Sequence, residues 1–251
     1  MVSSSSLKSA IKKIVPKDVL RWWHDLRAAH VRRAFRGLTP GEVFTKIYKE
    51  GRWGRPDVSG RAFCSGSGSR DPVVVDSYAD AVAGFLQSLD DRPDAVDLGC
   101  GDFSVGSRIR PYCKRYVACD IVEPLIVWHR EQAANPDVEF RVVDAIKDDL
   151  PEGDVVFVRQ MFQHLSNAQI AEALARIAAR YRYLVLTEHL PAEPDFIPNL
   201  DKPAGPDVRL RFRSGVVLTK PPFSLVPEEE KILLDIADGE NRITTTLYRL
   251  R

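Results

Sequence analysis

The sequence is poor in sulfur-containing residues and carries no cysteine pattern typical of a metal site. Its 251 residues include four cysteines and two methionines. No C-x-x-C pair and no histidine at zinc-ligand spacing accompanies the cysteines, which are Cys64, Cys100, Cys113 and Cys119. These spacings argue against a metal cluster on the cysteines. The sequence shows no secretory signal pattern, so we expect free thiols and a cytoplasmic location.

Excess charge of one sign and long apolar runs are also absent. Lys and Arg total 36 against 35 Asp and Glu, a balance that gives no overall attraction to nucleic acid. No apolar run approaches the ~20 residues that a membrane-spanning helix needs. The 44% hydrophobic content is enough for a full core at this length. We expect one main domain and no nucleic-acid partner.

The most informative segment is an apolar run at residues 95–98 that leads into Gly99 and Gly101. This pattern predicts a buried strand followed by a glycine turn, where the backbone can approach a ligand closely. The G-x-G-x-x-G dinucleotide motif is not met, because Ser104 stands where its third glycine belongs. The turn therefore predicts a nucleotide-like ligand without a pyrophosphate. The alternative is an ordinary glycine turn that binds nothing.

Acidic residues close the next two predicted strands. Residues 116–120 end in Asp120, and residues 138–145 carry Asp144 near their end. Doubly wound folds place an acid against ribose hydroxyls at the end of the second strand, so Asp120 is the candidate for that contact. A single strand-end aspartate is usually a helix cap. Together with Asp97, three successive strand-end acids favour a ligand site.

The motif Val-Asp-Leu-Gly-Cys-Gly at residues 96–101 resembles motif I of class I S-adenosylmethionine-dependent methyltransferases. The resemblance implies an α/β, Rossmann-like fold with a seven-stranded, mostly parallel sheet. It also implies the C-terminal antiparallel hairpin that residues 231–250 predict, and S-adenosylmethionine as cofactor. The cofactor-binding positions that it implies are Asp97, Gly99, Gly101, Phe103, Asp120, Ile121, Asp144, Ala145 and Gln160.

Two segments before the predicted sheet resemble the N-terminal region of bacterial methyltransferases of saccharide and surface-glycan pathways. They are Tyr-Lys-x-Gly-x-Trp-Gly at residues 48–54 and Ser-Gly-Ser-Gly-Ser at residues 65–69. In that family the loop folds over the methionine end of the cofactor, which adds Trp53, Ser67 and Ser69 to the cofactor candidates. The alternative is a flexible Gly/Ser linker.

We accordingly divide the chain into a helical, loop-rich N-terminal extension over residues 1–71, with a candidate lid, and a cofactor-binding domain over residues 72–251. Within the extension, residues 1–36 are basic and carry apolar residues at loosely helical spacing. Such a segment, with Trp22 and Trp23, fits peripheral contact with an anionic membrane at the inner membrane face. The alternative is packing on its own domain or on a second subunit of a homodimer.

Two histidines follow predicted strands and so belong to the ligand-binding edge of the sheet. His164 follows the strand at residues 154–160, and His189 follows the strand at residues 183–188. An acceptor hydroxyl needs a base for its proton, and imidazole suits that role. We expect His164 to be this base, with His189 oriented by Glu188 as the rival. The alternative is that His164 only caps or packs the next helix.

Residues 191–227 are rich in Pro, Gly and Arg and predict a loop that covers the acceptor. Its polar groups suit a hydroxyl-rich sugar, although they could equally be solvated: Asn199, Asp201, Asp207, Arg209, Arg211 and Arg213. Asp201 and Glu188 are carboxylates able to hold a divalent cation, but no ligand spacing commits the chain to a metal.

These patterns predict an O-methyltransferase that acts on a saccharide or a small hydroxylated metabolite. One alternative is N-methylation of a small molecule or macromolecule. Its common Asn/Asp-Pro-Pro-aromatic motif is missing after the fourth strand, where residues 159–162 read Arg-Gln-Met-Phe. The other alternative is a non-catalytic protein that binds S-adenosylmethionine.

Overall fold

A computed structural model describes residues 26, 29–30, 33–54, 62–69, 71–132 and 135–251. The chain divides into two compact units, Met1–Leu38 and Thr39–Arg251. In the first unit, residues 33–34 are helical and a turn follows at residues 35–37. Most of the basic segment at residues 1–36 lies outside the described residues. The second unit contains the sheet and the candidate site.

Seven strands form one sheet in the order β3-β2-β1-β4-β5-β7-β6. β1 to β5 pair in parallel, and β7 runs antiparallel between β5 and β6. This arrangement confirms the predicted fold class, including the C-terminal hairpin. The strands are β1 Asp94–Leu98, β2 Arg115–Asp120, β3 Val138–Val142, β4 Val155–Arg159, β5 Tyr183–Pro191, β6 Glu229–Asp238 and β7 Asn241–Arg249.

Five α-helices connect and flank these strands in the described part of the second unit. They are α1 Pro40–Lys49, α2 Pro72–Gln87, α3 Gly106–Ile109, α4 Glu123–Gln132 and α5 Asn167–Arg180. Short 3₁₀ helices lie at Ser67–Ser69, Arg110–Tyr112, Phe162–His164 and Arg209–Phe212. Among the residues described, no helix combines the length and the apolar character needed to cross a bilayer.

The central strands β1, β2 and β4 are continuous apolar segments because both faces of the sheet are covered there. Nearly all of their residues are buried. α2 begins where Asp71 accepts a hydrogen bond from the Val73 amide, and its apolar stripe joins the core cluster beside these strands. The carboxyl ends of the parallel strands thereby meet at one edge, where the sequence places the glycine turn.

Three strand boundaries differ from the predicted ones by two residues or more. β5 extends to Pro191 rather than to residue 188, so His189 lies within this strand and does not follow it. β3 ends at Val142 rather than at residue 145, because the Asp144 amide donates to Asp148 and the Asp144 carboxylate accepts from the Ile146 amide. These local bonds turn the chain away from the sheet. β6 begins two residues earlier than predicted and contains an irregularity between Ile232 and Leu234.

The segment between β5 and β6 is anchored to the rest of the unit by buried polar side chains. Arg209 is 1% exposed and donates to the carbonyl oxygens of Leu200, Phe162 and Leu165 and to the side chain of Asn167. It therefore stabilises the connection between β4 and α5.

Two further polar residues of this segment are also engaged internally. The Asn199 amide group binds the backbone of Val217 and Pro221, and Asp201 accepts from the Asn167 amide. The interpretation of Asn199 and Arg209 as free acceptor-binding groups is therefore corrected, because their hydrogen-bonding groups are already used within the fold.

Replacing Arg209 with Met should lower the free energy of unfolding by at least about 3 kcal/mol, because buried acceptors lose their donor. Arg213→Met is the matched control, since Arg213 is exposed and adjoins the same 3₁₀ helix; it should change stability by less than about 0.5 kcal/mol. Urea unfolding measures both variants, and equal losses would show that the Arg209 network does not stabilise the fold.

Candidate active site

A cavity of about 400 Å³ lies at the carboxyl ends of the central strands. Its wall combines the glycine turn after β1, the ends of β2 and β3, and the segment after β4. Parallel sheets present their ligand-binding crevice at this edge. The wall includes twelve of the fourteen site residues predicted from the sequence: Trp53, Ser69, Asp97, Gly99, Gly101, Asp120, Ile121, Asp144, Ala145, Gln160, His164 and His189.

The other two predicted residues stand differently. Phe103 does not line the cavity; it is 2% exposed and packs edge-on against Tyr116 and Phe140 behind the turn. An aromatic ring at this position therefore supports the turn instead of facing the ligand. Ser67 opens the 3₁₀ helix Ser67–Ser69, and its side chain lies outside what the structure describes.

The glycine turn is held against β2 by backbone bonds. The amides of Gly99 and Cys100 both donate to the Cys119 carbonyl oxygen. Gly99 has φ 77° and Gly101 has φ 55°, in the left-handed region that favours glycine. A Cβ at Gly99 would also lie 3.0 Å from Sδ of Met161, and one at Gly101 would clash with Oγ of Ser65. The turn therefore needs both glycines.

Asp120 closes β2 and is tied to the turn by its two oxygens. Oδ2 accepts from the Gly101 amide at 3.2 Å, and Oδ1 accepts from the Val122 amide at 3.0 Å. Burial raises the pKa of Asp120 to about 6, against the lowering effect of these amides. The carboxylate therefore faces the cavity in a fixed orientation, mostly ionised at neutral pH.

A second buried carboxylate, Asp97, stands at the end of β1. It accepts a hydrogen bond from the Tyr116 hydroxyl at 3.0 Å, and burial raises its pKa to about 7. Asp144 also lines the cavity, with one oxygen capping the Ile146 amide at 2.9 Å. The three predicted strand-end acids thus border a single cavity.

Residues 65–69 lie on the glycine turn. The Ser65 amide donates to Oδ2 of Asp102 at 3.2 Å, and the Asp102 amide donates to Oγ of Ser65 at 2.7 Å. The Tyr48 hydroxyl is a further 3.0 Å from Oγ of Ser65. This reciprocal pair holds the Gly/Ser segment over the cavity wall.

His164 stands in an aromatic corner of the cavity. Its ring centroid lies 4.8 Å from that of Trp53 and 6.5 Å from that of Phe44. Nδ1 is 3.2 Å from the Gly205 carbonyl oxygen, so Nδ1 carries the proton and Nε2 has the free lone pair. Burial, together with the nearby Lys202 ammonium, lowers the pKa of His164 to about 3. The imidazole is therefore neutral at physiological pH.

His189 has a different environment from the expected one. Nδ1 is 3.2 Å from the Gln163 amide oxygen, and Nε2 is 3.2 Å from Oδ2 of Asp238. Glu188 does not orient this ring, because neighbouring strand residues point to opposite faces. Glu188 is instead 2% exposed beneath the Phe162–His164 helix and accepts from the Gln163 amide; burial raises its pKa to about 8. Both nitrogens of His189 are thus engaged, whereas His164 keeps one free.

Several residues that line or close the cavity were missed by the sequence analysis. Tyr48, Ser65, Asp102 and Arg159 are among them, although Tyr48 and Ser65 belong to the motifs singled out in the sequence. Arg159 could have been noticed as a charged residue ending an otherwise apolar strand. The loop after β5 contributes apolar residues to the wall, and these are Pro206, Val208 and Leu210.

The two candidate cation ligands each have a hydrogen-bond partner within the fold. Asp201 accepts from the Asn167 amide at 2.7 Å, and Glu188 is buried under the Phe162–His164 helix. Within the described ranges, no group of three or more His, Cys, Asp or Glu side chains is arranged to hold a metal ion.

Part of the chain is similar to a known protein family. Residues 95–182 match the family model described as a methyltransferase domain. No curated protein matches the chain by sequence.

Solved structures share the fold at low sequence identity. The N-methyltransferase NodS from Bradyrhizobium japonicum WM9, in complex with S-adenosyl-L-homocysteine, is 13% identical with a TM-score of 0.56, over 81% of this chain and 98% of that one. Magnesium protoporphyrin IX methyltransferase from Synechocystis PCC 6803, with bound S-adenosylmethionine, is 15% identical with a TM-score of 0.52, over 85% and 99%. The N-terminal domain of EvdMO1, in the presence of S-adenosylhomocysteine and D-fucose, is 16% identical with a TM-score of 0.50, over 83% and 96%.

Residues 95–182 therefore contain a methyltransferase domain, and the seven-stranded sheet has the fold of the three methyltransferase structures named above. The three similar proteins are named with different acceptors or activities, so the likeness extends to the fold and not to the acceptor.

Asp97→Asn should stabilise the ligand-free protein at about pH 8 by about 1–2 kcal/mol. The pKa of Asp97 is about 7 in the folded protein against an ordinary 3.8, so folding is penalised once the carboxyl ionises. The folded state binds the Asp97 proton more tightly than the unfolded state does. The free-energy cost of folding with an ionised Asp97 therefore grows as pH rises from about 4 to about 7. The gain should therefore shrink at about pH 5. Urea unfolding at both pH values measures it.

The exposed Asp91, just before β1, supplies the control variant Asp91→Asn, which should leave stability nearly unchanged at either pH. A gain for Asp97→Asn that is the same at about pH 5 and pH 8 would contradict the assigned cost of burying its charge.

Proposed function

We propose that this chain transfers a methyl group from S-adenosylmethionine to a hydroxyl group of a saccharide or similar small hydroxylated molecule. The observation that carries the proposal is a neutral imidazole with one free nitrogen, His164, in the same cavity as the strand-end carboxylates of Asp120 and Asp144. One part of the cavity suits a nucleoside, and the other suits an acceptor that must lose a proton.

The residues at the sheet edge fit the donor by their chemistry. We assign Asp120 to the ribose hydroxyls and Asp144 with the Ala145 amide to the adenine, and all three residues line the cavity. Two buried donor atoms in or beside the cavity have no hydrogen-bond partner among the described residues, Nε1 of Trp53 and Nε2 of Gln160. Buried donors without partners are costly, so they favour a polar ligand in this cavity. S-adenosylmethionine supplies an electrophilic methyl group on a sulfonium.

His164 is proposed to take the proton of the acceptor hydroxyl at Nε2. Its low pKa makes it a weak base, but a protonated ether is a far stronger acid than an imidazolium, so the transfer still runs downhill. The Gly205 carbonyl oxygen holds the ring in the required tautomer. The Trp53 ring beside it would also stabilise the charge that the imidazole gains.

The acceptor end of the cavity favours a ring with an apolar face. Phe44, Trp53, Val208 and Leu210 line the cavity, and the polar residues that line it include His164 and His189. A sugar ring presents C–H bonds on its faces and hydroxyls at its edge, so such a ring can lie on an aromatic wall while one hydroxyl meets a base. The EvdMO1 domain, which shares this fold, was crystallised in the presence of D-fucose.

The test of the proposal is a transfer screen with methyl-labelled S-adenosylmethionine over saccharides and small hydroxylated metabolites. The label should appear on an acceptor oxygen. A label on nitrogen would overturn O-methylation, and donor binding without turnover on any acceptor would favour the non-catalytic alternative.

His164→Ala should lower kcat on the identified acceptor by about 10²- to 10⁴-fold, the usual contribution of a positioned base. Its affinity for S-adenosylhomocysteine, measured by calorimetry, should stay within about twofold. His30→Ala is the control, because His30 is exposed and lies in the other unit. Full activity in His164→Ala would transfer the role to His189 or to water.

The remaining sequence predictions are retained as proposals. They are the cytoplasmic location, the peripheral membrane contact through residues 1–36, the homodimer and the lid within residues 1–71.

A further inference from the structure

Arg159, the last residue of β4, lines the cavity and forms no ion pair with any residue that the structure describes. Its Nε is buried and has no hydrogen-bond partner in that part of the chain. The other two guanidinium nitrogens contact neutral groups: Nη2 donates to the Gly68 carbonyl oxygen at 2.6 Å, and Nη1 donates to Oγ of Ser69 at 3.2 Å. The Tyr78 ring lies beneath the guanidinium at 5.2 Å.

An arginine in this position is expected to have an anionic partner. Burying a guanidinium without one is unfavourable, and here burial lowers the pKa of Arg159 from its ordinary value. The ion pairs of the described residues do not include Arg159. Asp97 is near enough to interact with it electrostatically but forms no ion pair with it. The planar fork of arginine is suited to a carboxylate.

The surroundings of Arg159 indicate which anionic group would pair with its guanidinium. Its two neutral contacts belong to the Gly/Ser segment that lies on the glycine turn, and Asp97 from β1 lines the same cavity. A cation and a carboxylate that are close but not paired suit a ligand group that carries both charges. The amino-acid part of S-adenosylmethionine is such a group.

We propose that Arg159 binds the carboxylate of the amino-acid part of the methyl donor, with Asp97 on the side of the ammonium group. This assignment rests on the proposed function, because it requires S-adenosylmethionine in the cavity. The same guanidinium chemistry would also suit an anionic group of the acceptor, and the experiment separates the two sources by leaving the acceptor out.

The experiment compares S-adenosylmethionine with decarboxylated S-adenosylmethionine, which lacks only the carboxylate, by calorimetry without acceptor. The wild-type chain should prefer the complete donor by about 10- to 100-fold, the usual range for a charged hydrogen-bonded pair. Arg159→Met should lose that preference while binding the decarboxylated compound within about threefold of wild type. Arg159→Lys should keep part of the preference for the complete donor, because lysine retains the positive charge but lacks the planar guanidinium that can bind a carboxylate with two hydrogen bonds.

Arg115→Met is the matched control, because Arg115 begins β2 at the opposite end of the strand and is partly exposed; it should keep the full preference. A preference that persists in Arg159→Met overturns the assignment and is the result expected if Arg159 serves the acceptor. Equal weakening of both ligands also overturns it, because that result indicates that Arg159 only holds the Gly/Ser segment.

The comparison of the two compounds on the wild-type chain needs no variant, so it tests whether the donor carboxylate contributes to binding even if Arg159→Met fails to fold. Equal wild-type affinity for the two compounds overturns the assignment while leaving the proposed function standing. Failure of the wild-type chain to bind either compound refutes the proposed function, and the assignment with it.

Discussion

The turn after β1 is held by a hydrogen bond from the Gly101 amide to the Asp120 carboxylate, and the rest of the site depends on this contact. It joins the ends of two neighbouring parallel strands, and Gly101 makes it with its backbone in the left-handed region that favours glycine. With no Cβ at that position, Ser65 can approach the turn and exchange hydrogen bonds with Asp102. One turn therefore orients the candidate ribose acid and holds the Gly/Ser segment in place.

The site also shows why buried charge and stability are in conflict here. Asp97, Asp120 and Glu188 are all buried, and burial raises the pKa of each of them. Folding keeps these carboxyls out of water without giving each a full set of partners, which costs stability at neutral pH. The ligand-free protein tolerates this cost because Arg209 and the apolar central strands stabilise the surrounding fold. Arg159 is a buried cation, and burial likewise disfavours its charged form, which here lowers the pKa.

Much of the fold and of the donor side could be predicted from the sequence. The apolar runs, the glycine turn and the strand-end acids are local patterns, and parallel strands necessarily bring their carboxyl ends to one edge. The acceptor side was predicted less well, because a polar residue in a long loop has no local signal for burial. Asn199 and Arg209 were read as ligand groups, whereas both are engaged within the fold. Phe103 follows the glycine turn in sequence but faces away from the cavity.

The sequence by itself determined the class of fold, the sheet edge at which the cavity lies and the two histidines that line it, because short-range patterns and strand direction suffice for these. Only the tertiary structure decided which histidine keeps a free nitrogen, since that depends on Gly205 and Asp238, both far along the chain from the ring that each contacts. It also decided that Arg159 lines the cavity with no counter-ion among the described residues. Contacts between distant segments set these properties, and no local pattern encodes them.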